Sequence, residues 1–305
     1  MIHHTRLNRA VRTFIGLAAV CMILLNTSCS SAPKNVEPET PGAAEASKFS
    51  DFGNSFYNQA RYTQAIEMYQ LALDRYIRID DQRGTVSAYN SLAKAYLAKG
   101  NAAQAEAILQ TALRTLKSGG LIEQDDAELR SVASETYNNY GELEYARGNY
   151  PDALDWFNKG LKMVSKDLDP TAYAVLLHNR GTVLYKQDKV EEARREFASS
   201  LAINREHDNL YEIASNHYML AVLDLRTGDI DSALLHAESA LSYDRMTENS
   251  PGIGHDLFLL ARIEDLRGNP DFAAGYLDRA ENIFRTIGLL SSEESVKEYR
   301  TTRSE

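Results

Sequence analysis

Cysteine is nearly absent from this chain of 305 residues, which contains only Cys21 and Cys29. Cys21 lies in an apolar run near the N-terminus, so a chain that loses this run keeps a single cysteine. One cysteine can form neither an internal disulfide framework nor a metal site built from cysteines. The sequence therefore excludes a fold that depends on disulfide bonds or on a cysteine-ligated zinc ion.

Proline and basic charge are also scarce. Three of the seven prolines, Pro33, Pro38 and Pro41, lie in one short stretch, which favours a helical body behind a flexible leader. The chain has 33 Lys and Arg residues against 43 Asp and Glu residues. Such an acidic chain is a poor candidate for binding nucleic acid or anionic lipid through a basic surface. We therefore predict no nucleic-acid partner.

Motifs for catalysis and cofactor binding are missing as well. The chain contains no phosphate-binding G-x-x-x-x-G-K, no G-x-G-x-x-G, no H-E-x-x-H and no G-x-S-x-G. The segment "PGIGHD" (251–256) has a Gly-x-Gly, but no strand precedes it, so we interpret it as a turn between two helices. We therefore predict that the protein is not an enzyme and needs no cofactor.

The first 28 residues have the pattern of an export signal. Arg6, Arg9 and Arg12 precede the 12-residue apolar run from Phe14 to Leu25. Twelve apolar residues are too few to span a bilayer, and the flanks are typical of a segment that is removed after export. We therefore predict a signal peptide at residues 1–28. Its removal would leave 30 basic against 43 acidic side chains, a formal charge of −13.

The segment "NTSC", which ends at Cys29, resembles the lipobox of bacterial lipoproteins. Thr27 and Ser28 fit its two small positions, whereas Asn26 stands where leucine is usual, a departure that resembles the relaxed lipobox of spirochaetes. The resemblance implies that Cys29 is lipidated and anchors the chain in a membrane. Ser30, the next residue, implies the periplasmic face of the outer membrane. The alternative is ordinary signal-peptidase cleavage without a lipid anchor.

Residues 29–46 are rich in Pro, Ala, Glu and Ser and contain no aromatic residue, so we predict a flexible tether there. Beyond the tether, one pattern of small and turn residues recurs about every 40 residues. A fixed period of this length indicates a repeat architecture. The pattern is centred on Ala65, Ala105, Ala153, Ala193, Ala233 and Ala273.

Each repeat has the pattern of two helices joined by a tight turn. In the third repeat, apolar residues lead up to Gly148, which suits the left-handed residue that ends a helix. Asn149 and Pro151 then suit the start of a second helix, whose apolar stripe continues at Ala153 and Phe157. The small residues at fixed positions predict close packing between neighbouring helices.

These residues resemble the tetratricopeptide repeat, and "YNSLAKAYLAKGNAAQAEAILQTAL" (89–113) is the cleanest copy. The usual repeat has 34 residues, so a unit of 40 resembles the long-helix variant of the family. The resemblance implies an all-α fold, a right-handed solenoid of about six helix-turn-helix repeats. A capping helix and tail are expected at 288–305. The repeats themselves are expected at 47–79, 82–117, 126–166, 170–207, 210–247 and 250–287.

Four residues depart from the repeat pattern. Arg180 occupies a bulky apolar position and Asp188 replaces the turn glycine of the fourth repeat. His217 and Ala237 replace bulky residues of the fifth repeat. We therefore expect looser packing in these two repeats, at a place where the stack flexes or binds a ligand.

Possible metal ligands favour other interpretations. The acidic cluster at 123–128 lacks the spacing of a calcium loop, so we interpret it as a loop and the start of a helix. The histidines recur at about the repeat distance rather than at metal-ligand spacing, which indicates face or packing residues. We predict no metal site. The acidic residues are Glu123, Asp125, Asp126 and Glu128, and the histidines are His178, His207, His217, His236 and His255.

The resemblance also implies a concave groove that is lined by the first helix of each repeat. Asparagines are concentrated at these positions, and an asparagine can donate to and accept from a peptide backbone. The alternative for each residue is a solvated helix surface. The carboxylate clamp of some family members is not expected, because Glu135 stands where a cation is required. The expected groove residues are Asn54, Asn90, Lys94, Asn138, Asn139, Glu142, His178, Asn179, Thr182 and Tyr218.

Together these patterns predict a scaffold of the bacterial cell envelope, anchored in a membrane through Cys29, that binds a protein or peptide partner in its groove. The alternative is an accessory lipoprotein of a periplasmic transport system that handles a small ligand. The sequence predicts neither the identity of the partner nor the oligomeric state.

Overall fold

The computed structural model describes residues 40–120, 122 and 126–303. Within these ranges all regular structure is helical, in thirteen α-helices. The predicted signal peptide, Cys29 and residues 30–39 of the predicted tether lie outside the described residues. In the part that is described, no helix combines the length and the apolar character needed to cross a membrane.

The helices follow one another as six pairs and a final helix. Each predicted repeat contains one pair, joined by a short turn. The helices are α1 (Pro41–Asn58), α2 (Tyr62–Arg78), α3 (Gln82–Ala98), α4 (Ala102–Ser118), α5 (Ala127–Ala146), α6 (Tyr150–Met163), α7 (Pro170–Lys186), α8 (Val190–Glu206), α9 (Leu210–Thr227), α10 (Ile230–Met246), α11 (Ser250–Leu266), α12 (Pro270–Ile287) and α13 (Leu290–Thr302).

The pairs stack into two layers. The first helix of each pair packs on the second, and the second packs on the first helix of the next pair. The first helices also contact one another along the stack, α3 with α5, α5 with α7, α7 with α9 and α9 with α11. From α3 to α11 the first helices therefore form a continuous inner layer, and the second helices form the outer layer. The predicted all-α repeat solenoid is confirmed.

The turn inside each pair uses one backbone conformation in all six repeats. Gly148, two residues after the end of α5, has a φ of 79°, a value that glycine adopts easily because it has no Cβ. The equivalent residues of the other repeats also have positive φ, including Ala60 at 58° and Asp188 at 66°. The turn predicted at Asp188 thus forms without glycine.

A size match between two positions sets how closely the helices of a pair approach. The small residue of the first helix packs on the residue that follows it by 16 positions, in the second helix. A Cβ on Gly141 would lie only 2.3 Å from the ring of Phe157. Glycine is thus present where the partner is aromatic, and alanine where it is leucine or alanine. The pairs are Gly53–Tyr69, Gly141–Phe157 and Gly181–Phe197, and Ala93–Leu109, Ala221–Ala237 and Ala261–Leu277.

The start of the body differs from the prediction. α1 begins at Pro41, so residues 41–46, which the sequence pattern assigns to the tether, are helical. Ala46 is fully buried, and α1 packs on α2. Alanine and glutamate are strong helix formers and proline is tolerated in a first turn, which explains why the helix extends this far. The tether prediction is wrong for these six residues.

The segment "PGIGHD" also differs from its predicted turn, because it forms the first turns of α11. Pro251 occupies the start of the helix, and the side chain of Asn249 accepts a hydrogen bond from the backbone N–H of Gly252 at 3.3 Å. A proline in the first turn and an asparagine cap both favour a helix start, which outweighs the two glycines.

The residues that depart from the repeat pattern are nevertheless packed. The guanidinium of Arg180 is paired with the carboxylate of Glu196 at 2.5 Å. His217 is buried and its ring stacks on Tyr243, with 6.0 Å between the ring centres. Ala237 is fully buried against the fifth repeat's small residue. The expectation of looser packing is therefore wrong at His217 and Ala237.

Candidate functional site

Two adjoining cavities lie against the inner helices, and we call them together the central hollow. The first has a volume of about 300 Å³ and is lined by residues of four repeats, among them Tyr57, Lys94, Glu142, Asn179 and Thr182. The second, of about 340 Å³, shares Lys94 and Glu142 with the first. It adds side chains from α5, α7 and α9 and the loop before α7, including Glu135, Asn138, Asn139, Asp169 and Glu212.

Lys94 is the cation at the centre of this hollow. Burial lowers its pKa, but Tyr57 and the carboxylates of Glu142, Glu212 and Glu135 raise it more, so the net shift of the pKa is upward. Its ammonium lies 5.1 Å from the centre of the Tyr57 ring, within cation–π range. Lys94 therefore keeps its charge at neutral pH, on an exposed side chain that lines the hollow.

Carboxylates outnumber cations in the hollow. Glu135, Glu142, Asp169 and Glu212 line the same cavity as Lys94. Burial raises the pKa of Glu135, and the nearby charge of Lys94 offsets part of that rise. Because Lys94 belongs to the second repeat and Glu212 to the fifth, the stack curls enough to place four repeats around one acidic space.

An amide network fixes one wall of the hollow. The Nδ2 of Asn138 donates to Oε1 of Glu142 at 2.8 Å. The Nδ2 of Asn179 lies 2.8 Å from Oδ1 of Asn138 and 3.0 Å from the same Glu142 oxygen, and donates to both. These three predicted groove residues are thus brought together across α5 and α7. Their amides hold the carboxylate of Glu142 in one orientation.

Asn90 and Asn139 have a different role from the predicted one. Asn90 is fully buried, and its Nδ2 donates to the backbone oxygen of Val132 at 3.1 Å. Its Oδ1 accepts from the hydroxyl of Thr136 at 2.9 Å, and the Nδ2 of Asn139 donates to its backbone oxygen at 3.1 Å. These bonds join α3 to α5, so the interpretation of Asn90 as a free groove residue is wrong. Asn139 lines the hollow, but its amide N–H is used inside the stack.

Three more predicted residues lie away from the central hollow. Asn54 is exposed, and its Oδ1 accepts from the hydroxyl of Tyr69 at 2.8 Å. His178 is half-buried, with its Nδ1 at 3.0 Å from Oδ1 of Asn216, so it joins α7 to α9. Tyr218 lines a separate cavity between the fifth and sixth repeats.

Some lining residues were not predicted, although the sequence carries a signal for them. Tyr57, Leu97 and Tyr145 line the hollow, each three residues after a predicted position, namely after Asn54, Lys94 and Glu142. Residues three apart share a helix face. Extending the predicted face by one turn would have found them.

Glu212 and Tyr211 carry no comparable signal. Glu212 lines the hollow, and Tyr211 lies within electrostatic range of Lys94, because α9 of the fifth repeat curls back toward α3 of the second. Sequence spacing describes contacts within a repeat and between neighbours, so it gives no information on two repeats that meet across the hollow.

One of the residues considered as metal ligands, Asp126, caps a helix instead. Oδ1 of Asp126 accepts from the backbone N–H of Glu128 at 2.8 Å and of Leu129 at 3.0 Å, so Asp126 caps α5. Glu123 and Asp125 lie outside the described residues. Among the residues that the structure describes, no group of three or more His, Cys, Asp or Glu side chains is placed to hold a metal ion.

Solved structures with the same fold belong to proteins of several kinds. The Rap conjugation gene regulator of the plasmid pLS20, in complex with the Phr* peptide, has a TM-score of 0.62 at 16% identity, over 85% of this chain and 66% of that one. Aspartyl phosphate phosphatase F from Bacillus subtilis has a TM-score of 0.54 at 15% identity, over 79% and 70%. The type IV pilus biogenesis factor PilW has a TM-score of 0.50 at 19% identity, over 82% and 97%. At these identities the likeness shows the fold alone.

Sequence comparison is more specific about the family. The model of the tetratricopeptide repeat matches residues 45–118, 132–206 and 172–246, which is more than half of the chain. No curated protein sequence matches this chain. Helix pairs, turns and small positions all follow the pattern of that repeat, and the chain belongs to the tetratricopeptide repeat family.

Proposed function

We propose that this protein is a scaffold that binds a segment of a partner protein in the central hollow. The observation that carries the proposal is the convergence of Tyr57, Lys94, Glu142 and Asn179, from four different repeats, on one cavity. A cavity with charged and amide groups on its wall can fix the backbone and side chains of a bound segment. The solved structure of the Rap regulator, which has a similar fold, is of its complex with a peptide, and this supports a peptide as the ligand here.

The charge of the hollow indicates the chemistry of that segment. Four carboxylates and one lysine line the larger cavity, and the rings of Tyr57 and Tyr145 line the smaller one. A segment rich in hydrogen-bond donors and basic side chains complements such a surface, whereas an acidic segment is repelled. The partner segment is therefore polar or basic, with apolar groups that reach the tyrosines.

A pair of lysine variants tests the site. Lys94→Met keeps the length of the side chain and removes the charge from the hollow, while Lys162→Met does the same on the exposed face of α6. The ammonium of Lys94 is assigned to a backbone carbonyl of the bound segment, and a hydrogen bond to a charged group contributes roughly 1.5–3 kcal/mol, so Lys94→Met should weaken partner capture from crosslinked envelopes about tenfold. Lys162→Met should not change it. Equal capture by both variants, with unchanged helical signals, would overturn the site.

Envelopes from the same cells also distinguish a protein partner from a small ligand. A partner of fixed stoichiometry should appear after affinity capture from detergent-solubilised envelopes. If native mass spectrometry instead finds a small molecule bound and no protein partner, the protein is a transport accessory and the scaffold proposal fails.

Membrane attachment is a separate part of the proposal. The sequence around Cys29 supports a lipid anchor in the bacterial envelope, on the periplasmic face of the outer membrane. A neighbour of similar fold is a type IV pilus biogenesis factor, which is compatible with an envelope role.

The chain offers a matched control for the anchor, because its other cysteine lies in the predicted signal peptide. Cys29→Ser should lose incorporation of a labelled fatty acid and move to the soluble fraction. Cys21→Ser should keep both the label and the membrane association. Continued labelling of the Cys29→Ser protein would contradict the anchor.

A further inference from the structure

A third cavity, of about 330 Å³, lies between the fifth and sixth repeats, and we call it the dyad cavity. Its wall combines two aspartates, two tyrosines, a histidine and a glycine, namely Asp244, Asp256, Tyr211, Tyr218, His255 and Gly252.

The two aspartates form a buried carboxyl pair. Asp244 of α10 is 5% exposed and Asp256 of α11 is 1% exposed, and the two carboxyl groups are hydrogen-bonded to each other. Oδ1 of Asp244 also accepts from Nδ2 of Asn249 at 2.9 Å. By contrast, Oδ2 of Asp256 accepts no hydrogen bond from any N–H or hydroxyl of the described chain. A buried carboxyl oxygen without a donor is costly unless something else supplies one.

The backbone around the pair is shaped to bring the carboxyl groups together. A Cβ on Gly252 would lie 2.0 Å from Oδ2 of Asp244 and 2.3 Å from Nδ2 of Asn249. Only glycine therefore allows the first turn of α11 to approach Asp244 so closely. Burial, and then the charge of Asp244, raise the pKa of Asp256 far above its usual range, and burial raises that of Asp244 as well. The pair accordingly holds one proton at neutral pH.

The dyad cavity adjoins the central hollow. Tyr211 lines the dyad cavity, and the next residue, Glu212, lines the hollow. Tyr211 also lies within electrostatic range of Lys94. The rings of Tyr211 and Tyr218 can stabilise a cation through their faces, and burial raises the pKa of both phenols, so that they remain neutral.

We propose that the dyad cavity binds a positively charged nitrogen group, an ammonium or guanidinium, that is carried by a basic side chain of the segment bound in the central hollow. Asp244 and Asp256 accept hydrogen bonds from the cation, and the tyrosine rings cover it. The proton that the two carboxyl groups share leaves to solvent when the cation enters, so that two carboxylates face one positive charge. The source of the cation rests on the proposed function, whereas the cation site itself does not.

The groups that act on this proton are few. Asp244 and Arg245 come from α10, where the charge of Arg245 lowers the pKa of Asp256 in part. Tyr211 and Tyr218 come from α9, and His255 lies on α11 itself, where burial lowers its pKa and keeps it neutral. Of the described residues, α12 contributes none to the lining. Loss of the shared proton is therefore the titration that cation binding should change.

Calorimetry with a pair of small probes tests the cation site. Methylguanidinium is a cation, and methylurea is a neutral molecule of nearly the same shape. Methylguanidinium should bind at least about tenfold more tightly, as expected for a charged hydrogen bond. Its binding should release a proton, measured as a difference in heat between buffers of unlike ionisation enthalpy. Affinity should rise by up to about tenfold per pH unit between about pH 6 and about pH 9.

Two variants complete the test. Asp256→Asn keeps the shape of the side chain and should abolish both the proton release and the pH dependence, while weakening methylguanidinium binding about tenfold or more. Glu238→Gln removes a carboxylate from the exposed face of α10 and should change neither. The cation site is overturned if methylguanidinium fails to bind the wild type, or if methylurea binds as tightly as methylguanidinium. It is also overturned if binding releases no proton, or if Asp256→Asn leaves the binding unchanged.

Partner capture then identifies the source of the cation. If it is a basic side chain of the partner, Asp256→Asn should reduce capture from envelopes. If Asp256→Asn loses methylguanidinium but captures the partner fully, the site takes a free amine and the assigned source is wrong. This outcome is distinct from failure of the proposed function, which would appear as equal capture by Lys94→Met and Lys162→Met.

Discussion

Replacing Gly141 with alanine should destabilise the protein, although alanine normally favours a helix over glycine by about 1 kcal/mol. The added Cβ would lie 2.3, 2.5 and 2.7 Å from three atoms of the Phe157 ring. That ring is 1% exposed, so it cannot move into solvent. Overpacking of this kind costs roughly 1–3 kcal/mol. The net loss in the free energy of unfolding should therefore reach about 2 kcal/mol.

Gly275 provides the matched control, because it is an exposed glycine inside α12 with no atom within 4 Å of an added Cβ. Gly275→Ala should keep the intrinsic gain and stabilise the protein by up to about 1 kcal/mol. A double variant, Gly141→Ala with Phe157→Leu, recreates the alanine–leucine combination that the second and sixth repeats already use. It should be more stable than the sum of its single changes, by about 0.5–3 kcal/mol.

Urea unfolding followed by the helical circular dichroism signal measures all of these variants side by side. The slopes of the transitions should be compared first, because a repeat array can lose its cooperativity. The size-match reasoning is refuted if Gly141→Ala is as stable as Gly275→Ala, or if the effects of Gly141→Ala and Phe157→Leu simply add.

Three further variants test the structural roles assigned to single residues. Asn90→Ala removes a buried amide that joins α3 to α5 and should lower the free energy of unfolding by about 1–3 kcal/mol, whereas the exposed Asn282→Ala should stay within about 0.5 kcal/mol of wild type in the same urea assay. Burial, then His236 and Arg205, lower the pKa of His217 from 6.5 to about 4. As the pH drops through that interval, the unfolded chain binds a proton at this histidine before the folded chain does, so the free energy of unfolding falls. His217→Leu should flatten this fall when unfolding midpoints are measured against pH. The raised pKa of Asp256 has the opposite effect on stability, because the folded chain keeps the proton of Asp256 to higher pH than the unfolded chain, so the free energy of unfolding falls as the pH rises. Asp256→Asn should remove that fall, and an unchanged pH profile would contradict the buried pair.

Most of the fold follows from local features of the sequence. The turn at Gly148, the small residue at Gly141 and the aromatic Phe157 each recur at a fixed spacing, and each constrains only contacts within one repeat. Such contacts repeat along the chain, so the pattern accumulates until the architecture can be predicted. The boundary at Pro41 was not predicted, because a stretch of Pro, Ala and Glu is compatible with both a tether and a helix.

The site was predicted less completely, for a physical reason. Lys94, Glu142, Asn179 and Thr182 face the hollow as the family pattern implies, because their position on the inner helix is a local property. Asn90 has the same repeat position as Asn138, which lines the hollow, but the close contact of α3 with α5 buries Asn90 and uses its amide inside the stack. Whether an inner residue is free or buried depends on the distance between neighbouring helices, which the sequence spacing does not give.

Site-specific photo-crosslinking in intact cells tests the central claim most directly. A photo-reactive amino acid replaces either Thr182, which lines the central hollow, or Lys162, which lies on the exposed outer face of α6. The proposed scaffold predicts one defined protein adduct from position 182, none from position 162, and loss of the adduct when Lys94→Met is added. An adduct from position 162 alone, or an adduct from position 182 that Lys94→Met leaves unchanged, would contradict binding in the hollow.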